Sequence, residues 1–170
     1  GIRQQYNQSF SGARYQAFLS EVQQYFNHIP NFRIAETPVF IPPQLKTSLI
    51  EACKEIGATI CRDDFKQLTD SAIEDGYRVP NEDEHTTFLQ MDFGITRNAK
   101  GDLIPKLIEV QGFPSLYMYQ DFIANMYRKH FDVPANCSHL IGVDSDGYHQ
   151  MMRDTIVGPC DPKNVVLLEI

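Results

Sequence analysis

Residues 90–115 read QMDFGITRNAKGDLIPKLIEVQGFPS. Two segments rich in β-branched and aromatic residues, 87–96 and 103–110, flank a polar turn at 97–102. Two such segments joined by a short turn of Asn, Gly and Asp predict an antiparallel β-hairpin. Pro105 weakens the start of the second strand, because proline lacks the N–H group that a sheet ladder needs.

The second strand alternates polar and apolar side chains. Strand residues two apart point to the same face, so Glu109 and Gln111 share one face. Ile108 and Val110 are then predicted to share the other. If the turn is tight, Asp92 on the partner strand lies near Glu109. Two carboxylates and an amide oxygen suit Mg²⁺, which proteins hold through one or two carboxylates plus phosphates. A half-solvated strand without a ligand shows the same alternation, so spacing alone leaves both interpretations open.

The rest of the chain has mainly helical periodicity. Apolar residues at steps of three and four predict helices over 11–29, 43–57, 64–74, 116–130 and 147–156, with Gly57 as a stop. Residues 144–147 (DSDG) read as a turn that caps the last of these helices. Short strands are predicted at 140–141 and at 165–170 (VVLLEI), an apolar run typical of a central strand.

This order of elements predicts an α/β fold with N-terminal helices, an antiparallel β-hairpin and the start of a Rossmann-like, doubly wound layer. We divide the chain into a helical portion, 1–80, and a second portion, 81–170, and leave open that the two form one compact unit. The apolar run at 165–170 stands at the last residues of the sequence, which favours the front portion of a longer protein.

Charge and cysteine usage limit the classes of partner. Fifteen Lys and Arg against 22 Asp and Glu give a net charge of −7, which disfavours nucleic acid as a partner. No polybasic patch or long apolar run points to a membrane. The four cysteines include no CxxC pair, and Cys53 and Cys61 are expected to be buried thiols, which together favour a cytoplasmic protein. His139 lies two residues from Cys137, but the spacing supplies no further zinc ligands.

Residues 91–115, MDFGITRNAKGDLIPKLIEVQGFPS, resemble the Asp–turn–Glu-x-Asn hairpin of ATP-grasp enzymes. In that family the acidic residues and the Asn hold magnesium against the nucleotide phosphates. Here a helix and then DPKNVVLLEI follow the hairpin. This order resembles the circularly permuted branch, which contains eukaryotic-type glutathione synthetase and glutathionylspermidine synthase. The resemblance covers 86–170, and it implies that the Rossmann-like layer is the pre-ATP-grasp layer.

The resemblance implies roles for particular residues. Glu109, Gln111 and Asp92 take the places of the metal-binding Glu, Asn and Asp, with Mg²⁺ and ATP as cofactors. Ser115 is the residue expected to contact substrate within 112–117. Gln111 is one methylene longer than Asn, which implies looser or indirect ligation. Gln90 stands where family members often carry Arg, so a charge partner or phosphate contact is absent there.

By this resemblance the chain is the N-terminal part of an ATP-dependent carboxylate–amine ligase, which forms an acyl phosphate and joins it to an amine. Its partners are then a nucleotide and small carboxylate and amine substrates, and a homodimer is left open. The sequence contains neither GxGxxG nor GxxxxGK[ST], so we do not expect these 170 residues to turn over ATP by themselves. The alternative is a non-catalytic binding module whose N-terminal helices form the partner surface. A degenerate ATP-grasp protein that binds nucleotide without reacting lies between the two.

Overall fold

A computed structural model describes residues 1–28, 30–82, 84, 86–113 and 115–168. Within these ranges the chain forms six α-helices and one two-stranded antiparallel sheet, a mixed α/β fold as predicted. The elements are α1 (Ile2–Ser9), α2 (Gly12–Phe26), α3 (Pro43–Ile60), α4 (Phe65–Thr69), β1 (Gln90–Arg97), β2 (Leu103–Gln111), α5 (Tyr117–His130) and α6 (Ser145–Ile156). Single 3₁₀ turns form at Asp70–Ala72 and Pro162–Asn164. No described helix is both long and apolar enough to cross a membrane.

The chain divides into two compact units. The first unit joins Gly1–Phe40 to Leu116–Ile170, and the second is Ile41–Ser115. In the first unit α2 packs against α5, and in the second α3 packs against β2. These boundaries differ from the predicted division at residue 80, because the hairpin packs with the helix that precedes it.

The first unit is built on an aromatic core. Its buried residues are Tyr6, Tyr15, Phe18, Val22, Ile34, Met126, Tyr127 and Phe131. Three of the tyrosines donate hydrogen bonds to three successive carbonyls: Tyr15 to Ile34 O at 2.5 Å, Tyr127 to Ala35 O, and Tyr6 to Glu36 O at 2.8 Å. The buried ring edges thereby satisfy backbone acceptors of the segment between α2 and α3.

Helix α2 follows the predicted apolar stripe for most of its length. Ser11 caps it by accepting a hydrogen bond from the Arg14 N–H at 3.2 Å, and Asn27 ends it in the left-handed conformation at φ 49°. The helix therefore stops three residues before the predicted end at Ile29, which lies outside the described residues. Tyr25, on the last turn of the helix, is 70% exposed.

Several other predicted elements need correction. Gly57 does not stop α3, which continues to Ile60, and α4 is shorter than predicted. Cys61 follows α3 and is exposed rather than buried. All four cysteines are free thiols. By contrast, Asp144 caps α6 as predicted, accepting a hydrogen bond from Gly147 N–H at 2.9 Å.

The two strands predicted after the hairpin do not form within the described residues. Residues 140–141 lie in bends, and 165–168 form no helix or paired strand, with Val165 in an extended conformation. Val166, Leu167 and Leu168 are 83–87% exposed. A strand needs a neighbour to accept its ladder of hydrogen bonds, and the only sheet in the described part of the chain is the hairpin. The last two residues of the predicted strand, 169–170, lie outside the described residues.

Candidate functional site

Side-chain hydrogen bonds of Asn98 build the turn of the hairpin. Its Oδ1 accepts from the backbone N–H groups of Lys100 at 2.9 Å and Asp102 at 3.0 Å. Gly101 takes φ 87°, a conformation that favours glycine. The predicted turn is therefore confirmed. It sets the register of the two strands as far as the pair Phe93–Leu107, beyond which the register shifts by one residue.

That register places Asp92 directly opposite Glu109, and Gln90 opposite Gln111. Residues directly opposite in an antiparallel pair project to the same face of the sheet. We name the face that carries Gln90, Asp92, Glu109 and Gln111 the carboxylate face. The sequence-based expectation that Asp92 lies near Glu109 agrees with this register, whereas the role of these residues as metal ligands stays a prediction.

Each carboxylate on this face accepts a hydrogen bond from the side-chain amide of a glutamine on the same strand. Gln90 Nε2 donates to Asp92 Oδ1 at 3.1 Å, and Gln111 Nε2 donates to Glu109 Oε1 at 2.5 Å. Glu109 is exposed and Asp92 is half-buried. Neither forms a salt bridge with a Lys, Arg or His side chain in the described part of the chain. Two facing negative charges are thus left without a protein counter-charge.

A β-bulge at Ile108 interrupts the alternation of β2. The register shifts between Asp92 and Phe93, and Ile108 is the extra residue on β2. A Cβ atom built on Gly94 would lie 3.7 Å from Ile108 Cδ1, which places Ile108 on the carboxylate face. The prediction that Ile108 shares a face with Val110 is therefore wrong, because a bulge sets two successive residues against one partner.

The opposite face of the hairpin is apolar and packs on helix α3. An open groove of about 510 Å³ remains on this side of the second unit. It is lined by Ile56, Thr59, Ile60, Phe65, Leu89, Leu107 and Val110. One face of the sheet is thereby fixed by hydrophobic contact, which leaves the carboxylate face free for a ligand.

Thr86 closes the open end of the hairpin. Its hydroxyl Oγ1 lies 2.8 Å from both Phe88 O and Gly112 O, so it links the chain before β1 to the chain after β2. Ser115, the predicted substrate contact, is half-buried. Within the described ranges it forms no hydrogen bond with the carboxylate face, and Pro114 lies outside those ranges.

The donor set on the carboxylate face fits Mg²⁺ bound together with phosphate. No group of three or more His, Cys, Asp or Glu side chains in the described residues is placed to hold a metal by itself. Asp92 and Glu109 supply two carboxylates, and the Gln111 amide oxygen becomes a third donor when the amide turns away from Glu109. Mg²⁺ commonly takes one or two carboxylates and completes its shell with waters and phosphate oxygens.

Asp121 is the centre of a second polar cluster, in the first unit, which the sequence analysis missed. Only 2% of this residue is exposed. Its donors are His139 Nε2 at 2.7 Å, His149 Nε2 at 2.8 Å, Ser145 Oγ at 3.2 Å and Asn125 Nδ2 at 3.2 Å. Burial acts to raise the pKa of Asp121, but the histidine and serine donors outweigh it, so this pKa lies below its usual range.

Arg128 fixes the protonation pattern of this cluster. Its guanidinium lies 3.2 Å from His139 Nδ1, and because Arg can only donate, Nδ1 must accept. The ring proton of His139 is then on Nε2, where it binds Asp121. Neither nitrogen offers a lone pair to a metal. The two histidine donors lie 18 and 28 residues from Asp121 in sequence, so no local spacing reveals them.

Comparisons of the chain with models of known families, with curated proteins and with solved structures find no match. The two polar clusters differ in what they leave open. The hydrogen-bond donors to the Asp121 carboxylate all belong to the first unit. Asp92 and Glu109 form no salt bridge within the described part of the chain, which makes the carboxylate face the candidate site.

Proposed function

We propose that the carboxylate face binds Mg²⁺ together with nucleotide phosphates, and that this chain is the N-terminal part of an ATP-dependent carboxylate–amine ligase of the permuted ATP-grasp type. The observation that carries the proposal is the pairing of Asp92 with Glu109 across the hairpin, with no salt-bridge partner for either among the described residues. A divalent cation supplies the missing positive charge. The similarity of residues 91–115 to the ATP-grasp hairpin supports a nucleotide as the ligand that binds together with that cation.

In this proposal Asp92 and Glu109 are ligands rather than acid or base groups. They would hold Mg²⁺, which would supply positive charge to offset the negative charge of the transferring phosphoryl group. Gln111 contributes its amide oxygen, and its extra methylene relative to Asn lets it reach the metal or one of the metal's waters. Ser115 contacts the substrate beyond the end of β2.

The finer fold assignment belongs to the same proposal. Residues 165–168 form the beginning of the first strand of a Rossmann-like, pre-ATP-grasp layer, whose other strands lie outside the described residues. The apolar sequence of this segment, its exposure and the extended conformation of Val165 support that role.

Binding of Mg²⁺·ATP by the purified 170-residue chain tests the proposal, with titration calorimetry as the readout. We compare wild type with Glu109→Gln and Asp92→Asn, which keep side-chain size and remove one charge each. Each substitution should lower the affinity by about tenfold or more, because one carboxylate no longer attracts the dication. Glu51→Gln, on the exposed surface of α3, is the matched control and should bind as wild type. Equal affinities for all four proteins would overturn the proposal.

A further inference from the structure

The two strands of the hairpin carry only two basic residues, Arg97 and Lys106. The register pairs Lys106 with Gly94, which lies two residues from Asp92 on β1 and therefore projects to the same face. Arg97 pairs with Leu103 and lies on the opposite, apolar face. Lys106 is thus the one cation that the two strands place on the carboxylate face.

Lys106 stands beside the carboxylates but does not neutralise them. It is exposed, and it forms no salt bridge with any carboxylate in the described part of the chain. Two residues along a strand span roughly 7 Å, and neighbouring strands lie about 5 Å apart. A lysine side chain covers most of that separation, so its ammonium reaches a group bound above Asp92.

Gly94 and Ile108 form the surface between Lys106 and the two carboxylates. Gly94 has no side chain there, and the three atoms nearest to a Cβ built at this position are Ile108 Cδ1 at 3.7 Å, Ile108 Cγ1 at 3.9 Å and the Lys106 carbonyl oxygen at 3.9 Å, so the Ile108 side chain lies next to Gly94. A phosphate chain that runs from the metal toward Lys106 therefore meets no β1 side chain at Gly94, but it passes the Ile108 side chain of β2. Ile108, from the bulge, borders this path with an apolar side chain that is 69% exposed.

The charges along this face are ordered. Two carboxylates lie together, and the cation lies two residue pairs further along the sheet. An Mg²⁺ ion offsets the carboxylates, but the polyphosphate that it binds brings further negative charge. Lysine binds such phosphates as a point charge, and in a sheet without another basic residue on this face it is the nearest counter-charge.

We infer that Lys106 contacts the phosphates beyond the metal and makes the site select nucleotides with two or more phosphates over nucleoside monophosphates. This inference rests on the proposed function, since it takes the metal at Asp92 and Glu109 as the anchor of the phosphate chain.

The test measures binding of Mg²⁺·ATP and of AMP with Mg²⁺ to wild type, Lys106→Met and Lys106→Arg. Lys106→Met should weaken Mg²⁺·ATP binding by about tenfold and change AMP binding little, while Lys106→Arg keeps most of the affinity. The ATP effect should shrink at high salt, because the contact is exposed. Lys100→Met, at the exposed tip of the turn, is the matched control and should bind as wild type. Binding of Mn²⁺ alone should not weaken in Lys106→Met.

The outcomes separate this inference from the proposed function. If Glu109→Gln abolishes binding while Lys106→Met binds Mg²⁺·ATP as wild type does, the role of Lys106 is wrong and the metal site stands. If Lys106→Met weakens binding while Glu109→Gln does not, the metal site is wrong and the phosphate contact stands. Absence of any Mg²⁺·ATP binding by wild type overturns both.

Discussion

Asp92 lies directly opposite Glu109 in the hairpin, and the cationic side chains of the described residues neutralise neither. Like charges on facing strands repel each other and lower the stability of the pair. The sheet has only two strands, so no further strand compensates for that repulsion. A hairpin built this way is more stable when a cation sits between the two carboxylates.

Removing one of the two charges should therefore stabilise the protein when no divalent cation is present. We expect Asp92→Asn to raise the free energy of unfolding by about 0.2–1 kcal/mol in chelator, since Asn still accepts the bond from Gln90. Urea denaturation followed by circular dichroism measures this difference. In saturating Mg²⁺ and ATP the order should reverse, because only wild type keeps both ligands.

Asp63→Asn is the control for that experiment. Asp63 is exposed and lies outside the two strands, so no carboxylate faces it across the sheet. It should change stability little in either condition. A clear loss of stability for Asp92→Asn in chelator would show that the carboxylate pair is held by attractive contacts, and would contradict the repulsion argued here.

Local chemistry explains why the hairpin was predictable. Asn98, Gly101 and Asp102 fix the turn through contacts between residues only two to four apart in sequence. A short stretch of sequence therefore contains all the residues that form the turn. The pairing of Asp92 with Glu109 needs the bulge as well, because the register set by the turn alone would place Ile108 opposite Asp92. The bulge at Ile108 was not predicted, although two adjacent apolar residues, Leu107 and Ile108, interrupt the alternation of polar and apolar residues there.

Contacts between distant segments explain the misses. Helix α1 has no apolar stripe and is held in the core by Tyr6, whose ring lies 5.2 Å from that of Phe131. The cluster around Asp121 depends on two histidines from elsewhere in the first unit. Conversely, the strands predicted at 140–141 and 165–170 have strand-like sequences, but the described residues provide no partner strand.

Asp121 should be the carboxylate whose replacement costs most stability in the first unit. In Asp121→Asn an amide NH₂ group replaces one carboxylate oxygen. The side chains that donated hydrogen bonds to that oxygen then face another donor and lose their acceptor. We expect the free energy of unfolding to fall by about 1–3 kcal/mol, measured by urea denaturation. Asp132→Asn is the control, because Asp132 is 70% exposed and its salt bridge with Arg14 lies at the surface. Equal effects of the two substitutions would contradict this role for Asp121.

The contribution of Asp121 should also depend on pH in a defined direction. Its pKa is lower in the folded protein than in the unfolded chain, where it is about 4. The stability that it adds is therefore fully present above that pH and is lost as the pH falls through the lower, folded value. We expect the difference in unfolding free energy between wild type and Asp121→Asn to narrow below about pH 4. A difference that stays constant from neutral to acid pH would contradict the lowered pKa.

Tyr127 offers the complementary test in the core of the first unit. Its hydroxyl donates to Ala35 O, so Tyr127→Phe leaves that carbonyl without its partner. At neutral pH we expect a loss of about 0.5–1.5 kcal/mol in the free energy of unfolding. Tyr77→Phe, at a position that is 76% exposed, should have almost no effect and is the matched control.

At alkaline pH the effect of Tyr127→Phe should decline. Burial, and to a smaller extent the neighbouring Tyr15 and Tyr119, raise the pKa of Tyr127 to about 12, whereas in the unfolded chain it is about 10. The neutral phenol thus adds stability that is complete below about pH 10 and is lost as the pH rises toward the folded value. Phenylalanine does not ionise, so the stabilities of wild type and Tyr127→Phe should converge between those two values. Denaturation curves collected across this range measure the convergence, and an unchanged gap would show that Tyr127 ionises in the folded protein as readily as in the unfolded chain.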